Sequence, residues 1–165
     1  MEELLLQLAT FFPWYVFLVL LPMGIRIVIE KAFGIRHEVF SLPPPSSGLA
    51  YETAFRGLVL ATLYYPFFEE LVFRGAPLYI FGYWGLVAGS IVWTLMHPSW
   101  QLQYLADYPT WKKLLFTATS TFYYACNAVF YGMMWLAGAG VGAIIYHIGH
   151  NLWLTLMDMF QEIEV

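Results

Sequence analysis

Long apolar segments with almost no charge constrain the fold of this chain more than any other sequence feature. A transmembrane helix needs about 20 predominantly apolar residues, and segments 4–29, 114–136 and 140–160 meet that requirement. Hydrophobic residues make up 61% of the 165 residues, and charged residues make up only 11%. A soluble domain of this size covers its surface with polar groups, which this composition does not supply. The sequence therefore predicts a single all-α membrane domain.

The region between these segments predicts two more spans, which gives about five in a polytopic helical bundle. Residues 49–81 form a helical run that is too long to cross a membrane upright. A kink at Pro66 or an interfacial first half would accommodate it. Residues 82–85, with the sequence GYWG, predict a tight turn, after which residues 86–97 return across the membrane. The polar stretch at residues 98–113 predicts a loop.

An N-terminal unit precedes the core of the bundle. Residues 1–48 comprise the first span and a loop whose proline run, residues 43–45, cannot be helical. Residues 49–165 form the core. Glu2 and Glu3 stand where a signal peptide would be basic, so the first span is expected to be retained.

The basic residues predict how the chain is oriented in the membrane. Arg26, Lys31 and Arg36 flank the first predicted loop. Lys112 and Lys113 end the other loop, and the opposite turns carry no lysine or arginine. Because cytoplasmic loops are enriched in these residues, we expect the N-terminus outside the cell and the C-terminus in the cytoplasm. No basic stripe could follow a phosphate backbone, which argues against a nucleic-acid partner.

Polar residues inside the predicted spans indicate a functional site, because a carboxylate there must face protein or water. Glu69 lies fourteen residues before Tyr83, and His97 lies fourteen residues after it. In an antiparallel hairpin these two residues are level, roughly 21 Å from the turn. His147 and Asn151, four apart on the last helix, reach a comparable depth by the same count. The sequence therefore predicts one polar cluster that opens towards the cytoplasm.

Several of these polar residues also have a purely structural explanation. Arg74 lies four residues after Glu70 on the same helix face, which favours a structural ion pair. Glu69 has no such local partner, and an isolated carboxylate in a low-dielectric site suits a general base or a buried protonated acid. His97 could cap the end of its helix. His150, three residues after His147, is expected to bond a neighbouring helix rather than join the site.

The residue types allow two hydrolytic mechanisms. Glu69, His97 and His147 could supply three ligands to zinc, which would activate a bound water and polarise a carbonyl. Without a metal, Glu69 and His97 could deprotonate water directly, while His147 and Asn151 donate hydrogen bonds to the oxyanion. The chain contains neither an HExxH motif nor a GxSxG motif, so the common zinc-protease and serine-hydrolase patterns are absent.

Three motifs in order resemble the CPBP family, the CAAX-processing and bacteriocin-processing (Abi) intramembrane proteases that include type II CAAX prenyl endopeptidases. The pattern EExxxR runs from Glu69 to Arg74, and HxxxN runs from His147 to Asn151. The pattern FxxxH departs, because Trp93 replaces phenylalanine ahead of His97.

The resemblance implies a membrane-embedded metalloprotease-like hydrolase. In it, Glu69 and His97 would activate water, and His147 and Asn151 would stabilise the oxyanion or hold metal. Glu70 is also a candidate catalytic residue, and Arg74 and Trp93 would support the site. The substrate would be a membrane-associated peptide or prenylated protein, cut in CAAX-type processing or in bacteriocin- or pheromone-type maturation.

Two other functions fit the same residues. A catalytically silent partner, such as an immunity protein, could bind membrane peptides in the same cavity. A small proton-linked channel or carrier could use Glu69 and His97. The absence of internal repeats argues against a carrier of the inverted-repeat type.

Overall fold

The computed structural model describes residues 2–35 and 57–163, and within them nearly every residue is helical. The four long helices are α1 (Glu2–Ala32), α2 (Gly57–Gln101), α3 (Thr110–Leu136) and α4 (Gly140–Ile163). The predicted all-α class is thus confirmed. The predicted proline-rich loop and the first residues of the predicted second span, residues 36–56, lie outside the described part of the chain.

Helix α2 is a hairpin of two antiparallel arms. Gly82 interrupts it with φ 64° and ψ −151°, a backbone conformation that favours glycine. The arms approach closely, because a Cβ added at Gly85 would collide with the Pro77 carbonyl, and one at Gly89 with the Phe73 carbonyl. The reversal predicted at residues 82–85 is therefore present, with its break at Gly82.

Three π-helical turns accommodate prolines within these helices. The turns are Val16–Leu20, Leu60–Tyr64 and Leu71–Gly75. The prolines that follow them are Pro22, Pro66 and Pro77. A proline lacks the N–H group and clashes with the carbonyl four residues earlier. In all three cases that carbonyl lies inside the π turn, whose wider backbone gives it room. The kink predicted at Pro66 takes this form.

The loop predicted at residues 98–113 is wrong over most of its length. Helix α2 continues through Pro98 to Gln101, a 3₁₀ turn covers Leu102–Leu105, and α3 begins at Thr110. Polar residues of this segment suggested a loop, but Gln101 is buried inside the fold. Its Nε2 donates to the Tyr124 hydroxyl at 3.0 Å. His97 consequently lies inside a helix and does not cap its end.

Helix α1 packs on α3 and α4 through a shared apolar core. Its centre consists of Val19 from α1 and of Phe130, Tyr131, Met134, Ala139 and Ala143. The Tyr146 hydroxyl of α4 also donates to the Leu8 carbonyl of α1 at 2.6 Å. The turn predicted between α3 and α4 is confirmed, and Gly138 has φ 74° there.

The outer surface of the bundle is apolar. Two helices in the described ranges, α1 and α2, are long and apolar enough to cross a membrane, and few of their residues are buried. Large side chains such as Leu6, Phe17 and Phe81 are exposed on them. The number of spans and their orientation stay predictions.

We expect Gly89→Ala to destabilise the hairpin, because the new Cβ would meet backbone that cannot rotate away. Overpacking of this kind costs about 1–3 kcal/mol, which thermal unfolding in detergent would detect. Gly24→Ala is the matched control, because no atom lies within 4 Å of a Cβ added there. Equal unfolding midpoints for both variants would contradict the close packing of the arms.

Candidate active site

A cavity of about 880 Å³ lies between the four helices and collects most of the predicted site residues. Glu69 and His97 of α2 line it, together with His147 and Asn151 of α4. Glu70 lies behind this wall and is fully buried. The structure therefore brings four of the five candidates to one surface and sets the fifth beneath it.

Glu70 is held by donors from three helices. Arg74 Nη1 lies 2.8 Å from its Oε1, and His147 Nδ1 lies 2.9 Å from the same oxygen. Trp135 Nε1 donates to Oε2 at 2.8 Å. A buried charge must be paired and hydrogen-bonded, and these contacts meet that need. The predicted ion pair with Arg74 is present.

Trp135 reaches Glu70 through a gap left by two glycines. A Cβ added at Gly75 would lie 2.7 Å from the indole ring, and one added at Gly140 would lie 2.6 Å from it. Real Cβ atoms do not approach other atoms so closely, so only glycine leaves the ring room at both positions. The indole is thereby fixed between α2 and α4.

Arg74 lies among aromatic rings as well as beside Glu70. Its guanidinium carbon is 4.3 Å from the centroid of the Trp93 ring and 5.2 Å from that of Tyr131. Cation–π contacts of this length stabilise a buried cation. Trp93 and Arg74 are therefore in contact, and their role as supports of the site stays a prediction.

Glu69 has a partner on the opposite arm of the α2 hairpin. Trp93 Nε1 donates to Glu69 Oε2 at 2.6 Å. The Nε2 atoms of His97 and His147 each lie 3.7 Å from the same oxygen. The side chain of Glu69 remains partly exposed to the cavity, so its carboxylate is accessible to a bound substrate.

The hydrogen bonds of the two histidines define which nitrogen faces Glu69. His97 Nδ1 lies 2.8 Å from the Trp93 carbonyl, and His147 Nδ1 lies 2.9 Å from the Glu70 carboxylate. Both oxygens only accept, so each Nδ1 carries the proton. In a neutral imidazole the other nitrogen is then an acceptor. Two proton-accepting Nε2 atoms and a carboxylate thus face one another.

Asn151 binds the first arm of α2. Its Nδ2 donates to the Ala61 carbonyl at 3.1 Å. Ala61 lies in the π turn before Pro66, whose missing N–H leaves a carbonyl of that turn without a backbone donor. The amide nitrogen carries two N–H groups, and within the described residues one of them has a partner.

The donor set suggested for zinc does not form a metal cage as it stands. In the described parts of the chain, no group of three or more His, Cys, Asp or Glu side chains is arranged to hold a metal ion. The chemistry proposed below therefore rests on the side chains themselves.

His150 lines the same cavity and also bonds two neighbouring helices. Its Nδ1 lies 2.8 Å from the Tyr15 hydroxyl and its Nε2 lies 2.6 Å from the Tyr123 hydroxyl. Both ring nitrogens are thus engaged, and the bond to Tyr15 joins α4 to α1.

Sequence reasoning missed the aromatic residues of α3. Tyr131 stacks on His147 with a centroid distance of 4.9 Å, and Tyr124 contacts His97 at 4.4 Å. The signal that could have found part of this face is a spacing of four, shared by Tyr123, Asn127, Tyr131 and Trp135.

A family model described as Type II CAAX prenyl endopeptidase Rce1-like matches residues 51–153, which is more than half of the chain. The chain belongs to this Rce1-like family. No curated protein and no solved structure matches the chain. Rce1-like membership confirms the resemblance found in the motifs, and with the apolar helices it indicates a membrane protein of a protease family.

The Rce1-like match covers Glu69, His97, His147 and Asn151 but does not include α1. Contacts that α1 makes with the site are therefore additions to the matched region.

We expect Arg74→Met to destabilise the protein strongly, because it leaves the fully buried Glu70 carboxylate without its cation. Breaking a buried pair from one side costs about 3–5 kcal/mol, and thermal unfolding in detergent would measure the loss. Adding Glu70→Gln should recover part of it. A single variant as stable as the wild type would show that Arg74 does not balance this charge.

Proposed function

We propose that the protein is an intramembrane endopeptidase that hydrolyses a peptide bond in a membrane-associated peptide or protein. The observation that carries this proposal is the convergence of Glu69 Oε2 with the Nε2 atoms of His97 and His147 at a cavity wall. Rce1-like family membership supports the reaction class.

Glu69 and His97 are the proposed water-activating pair. Their 3.7 Å separation is too long for a direct hydrogen bond, so a substrate water can hydrogen-bond to both. Removal of a proton from this water would let its oxygen attack the scissile carbonyl carbon. The Glu69–His97 pair would then return that proton to the nitrogen of the departing amine.

His147 and Asn151 are the proposed oxyanion donors. Glu70 accepts the Nδ1 proton of His147 and would stabilise the imidazolium form, as a carboxylate does for the histidine of a catalytic triad. His147 would take up a proton from solvent at Nε2 before the water attacks and would donate this N–H to the oxyanion, and the second N–H of the Asn151 amide would provide another donor. Glu70 acts through His147 in this scheme and does not touch the substrate.

The walls of the cavity suit a substrate with an apolar portion. Several apolar side chains extend the cavity beyond the acid–base residues. They are Met23, Ile27, Met96, Trp100 and Leu154. A prenylated CAAX peptide and an apolar bacteriocin or pheromone precursor both have this character, and both belong in the assay.

Orientation of the site towards the cytoplasm is part of the proposal, in a cell membrane crossed about five times. Lys31 at the end of α1 and Lys112 and Lys113 at the start of α3 support it, since basic residues favour the cytoplasmic side. Arg26 contributes less than its sequence position suggested, because it is buried and paired with Glu30 at 2.7 Å.

We expect Glu69→Gln and His97→Ala to reduce kcat by about 100- to 10,000-fold, the range that general acid–base residues contribute. The assay is cleavage of a farnesylated CAAX peptide and of a membrane-peptide library in detergent. Glu3→Gln, an exposed change of the same type, is the control and should keep wild-type turnover.

Wild-type turnover by both variants would overturn the proposed mechanism. Binding of peptides without any cleavage by the wild type would favour the silent peptide-binding partner instead. We expect cleavage to persist with a chelator, because the donors are not arranged as a metal cage. Loss of cleavage with a chelator, reversed by added zinc, would show instead that the reaction requires zinc.

Labelling of single cysteines tests the orientation. In a Cys126→Ala background, a cysteine placed at Asp107 should react with a membrane-impermeant maleimide from the cytoplasmic side. One placed at Gly138 should react only from the outside, because the two positions lie at opposite ends of α3. Labelling of both from one side, or in the reverse sense, would contradict the proposed topology.

A further inference from the structure

Helix α1 carries a buried ion pair into the wall of the cavity. Arg26 is 2% exposed and Glu30 is 0% exposed, and Arg26 Nε lies 2.7 Å from Glu30 Oε1. Burial of two charges in an apolar bundle has a large desolvation cost that pairing does not always offset. Stabilisation of the fold alone therefore does not explain the pair. Its further contacts suggest a second role.

Those contacts lead from α1 to the end of α2. Arg26 Nη2 donates to Gln101 Oε1 at 3.4 Å, and Ser120 Oγ donates to the same oxygen at 2.9 Å. Two donors on the amide oxygen fix the orientation of the Gln101 side chain. Its Nε2 is thereby directed to the Tyr124 hydroxyl, to which it donates at 3.0 Å.

Tyr124 in turn contacts the imidazole of His97. Their ring centroids are 4.4 Å apart with an interplanar angle of 33°. Trp93 touches the same imidazole at 4.4 Å and lies 5.5 Å from Tyr124, so the three rings pack together. The Nδ1 bond to the Trp93 carbonyl holds one edge of His97. Tyr124 restricts the tilt of the ring, which decides where Nε2 points.

We propose that Arg26, Gln101 and Tyr124 form a positioning chain that holds His97 Nε2 towards Glu69. Helix α1 is then part of the catalytic unit, although the Rce1-like match begins only at residue 51. This inference rests on the proposed function, because it gives these residues a role only if His97 activates water. None of the three is a catalytic residue in this scheme, since each acts through His97.

A binding role for Arg26 explains the same contacts less well. Arg26 lines the cavity, where a cation could attract an acidic group of a substrate. Its guanidinium is already paired with Glu30 and lies 5.0 Å from the Phe116 ring and 5.6 Å from the Tyr123 ring. A charge so engaged is better suited to fix a neighbour than to recognise an anion.

Substitutions at Tyr124 separate positioning from stability. Tyr124→Leu removes the ring from His97, and we expect kcat to fall by about 10- to 100-fold, as misplacement of a catalytic group does. KM for the farnesylated CAAX peptide should change less than kcat, although Tyr124 also lines the cavity, because a positioning residue acts on the chemical step. Tyr124→Phe keeps the ring and loses only the contacts of the hydroxyl with Gln101 and Arg26, so its fall in kcat should be smaller.

Tyr146→Phe is the matched control for the loss of a hydroxyl. It removes the bond from α4 to the Leu8 carbonyl of α1 and makes no ring contact with His97. We expect it to lower the unfolding temperature and to leave kcat unchanged. A fall in kcat equal to that of Tyr124→Phe would show a general effect of α1 docking and would overturn the positioning chain.

A double-mutant cycle tests whether the residues act in series. Gln101→Leu should reduce kcat as much as Tyr124→Phe, and the double variant should be no worse than either one, because both break the same link. Additive losses would overturn the chain. Arg26→Gln alone leaves a buried carboxylate without its cation, so Arg26→Gln combined with Glu30→Gln is the better variant. It should reproduce the loss seen for Gln101→Leu.

Glu69→Gln in the same assay distinguishes failure of the proposed function from failure of the positioning chain. If Glu69→Gln retains turnover, the proposed function itself is wrong. If Glu69→Gln is inactive but folded Tyr124→Leu keeps the wild-type kcat, the function stands and the positioning chain is wrong.

Discussion

The buried carboxylate of Glu70 is the contact on which the arrangement of this bundle depends. A charge in an apolar interior must be surrounded by donors, and here each donor comes from a different place. Arg74 lies one turn further along α2, Trp135 lies at the end of α3, and His147 lies in α4. Satisfying one carboxylate therefore fixes three helices relative to one another. It also fixes the tautomer of His147, so an internal packing requirement determines which nitrogen faces the cavity.

The sequence predicted the polar cluster because depth in a hairpin can be counted. A turn centred on Tyr83 placed Glu69 opposite His97, whereas the observed contacts pair Phe73 with Gly89 and Glu69 with Trp93. The prediction was wrong by one helical turn. It still found the site, because His97 lies one turn beyond Trp93 on the same arm and its side chain reaches back to within 3.7 Å.

Other parts of the site could not be predicted from composition. In a chain with 20% aromatic residues, a tyrosine that contacts a histidine looks the same as one that faces lipid. Nothing in the sequence therefore distinguishes Tyr124 and Tyr131 as residues of the site. Gln101 made its segment look like a loop, since the sequence gives no sign that a polar side chain is buried among partners on α1 and α3. Both errors have one cause, which is that a polar group's partners are set by tertiary packing.

The position of Trp135 between two glycines has a consequence for how such sequences can diverge. Gly75 and Gly140 are far apart in the chain, yet each leaves room for the same indole ring. A larger residue at either position would displace the ring and deprive Glu70 of a donor, so it requires a smaller residue at position 135 that still donates a hydrogen bond to the Glu70 carboxylate. These three positions should therefore vary together among relatives, as a correlated triplet. A covariation signal that joins them would report the shape of one ring rather than any direct contact between the glycines.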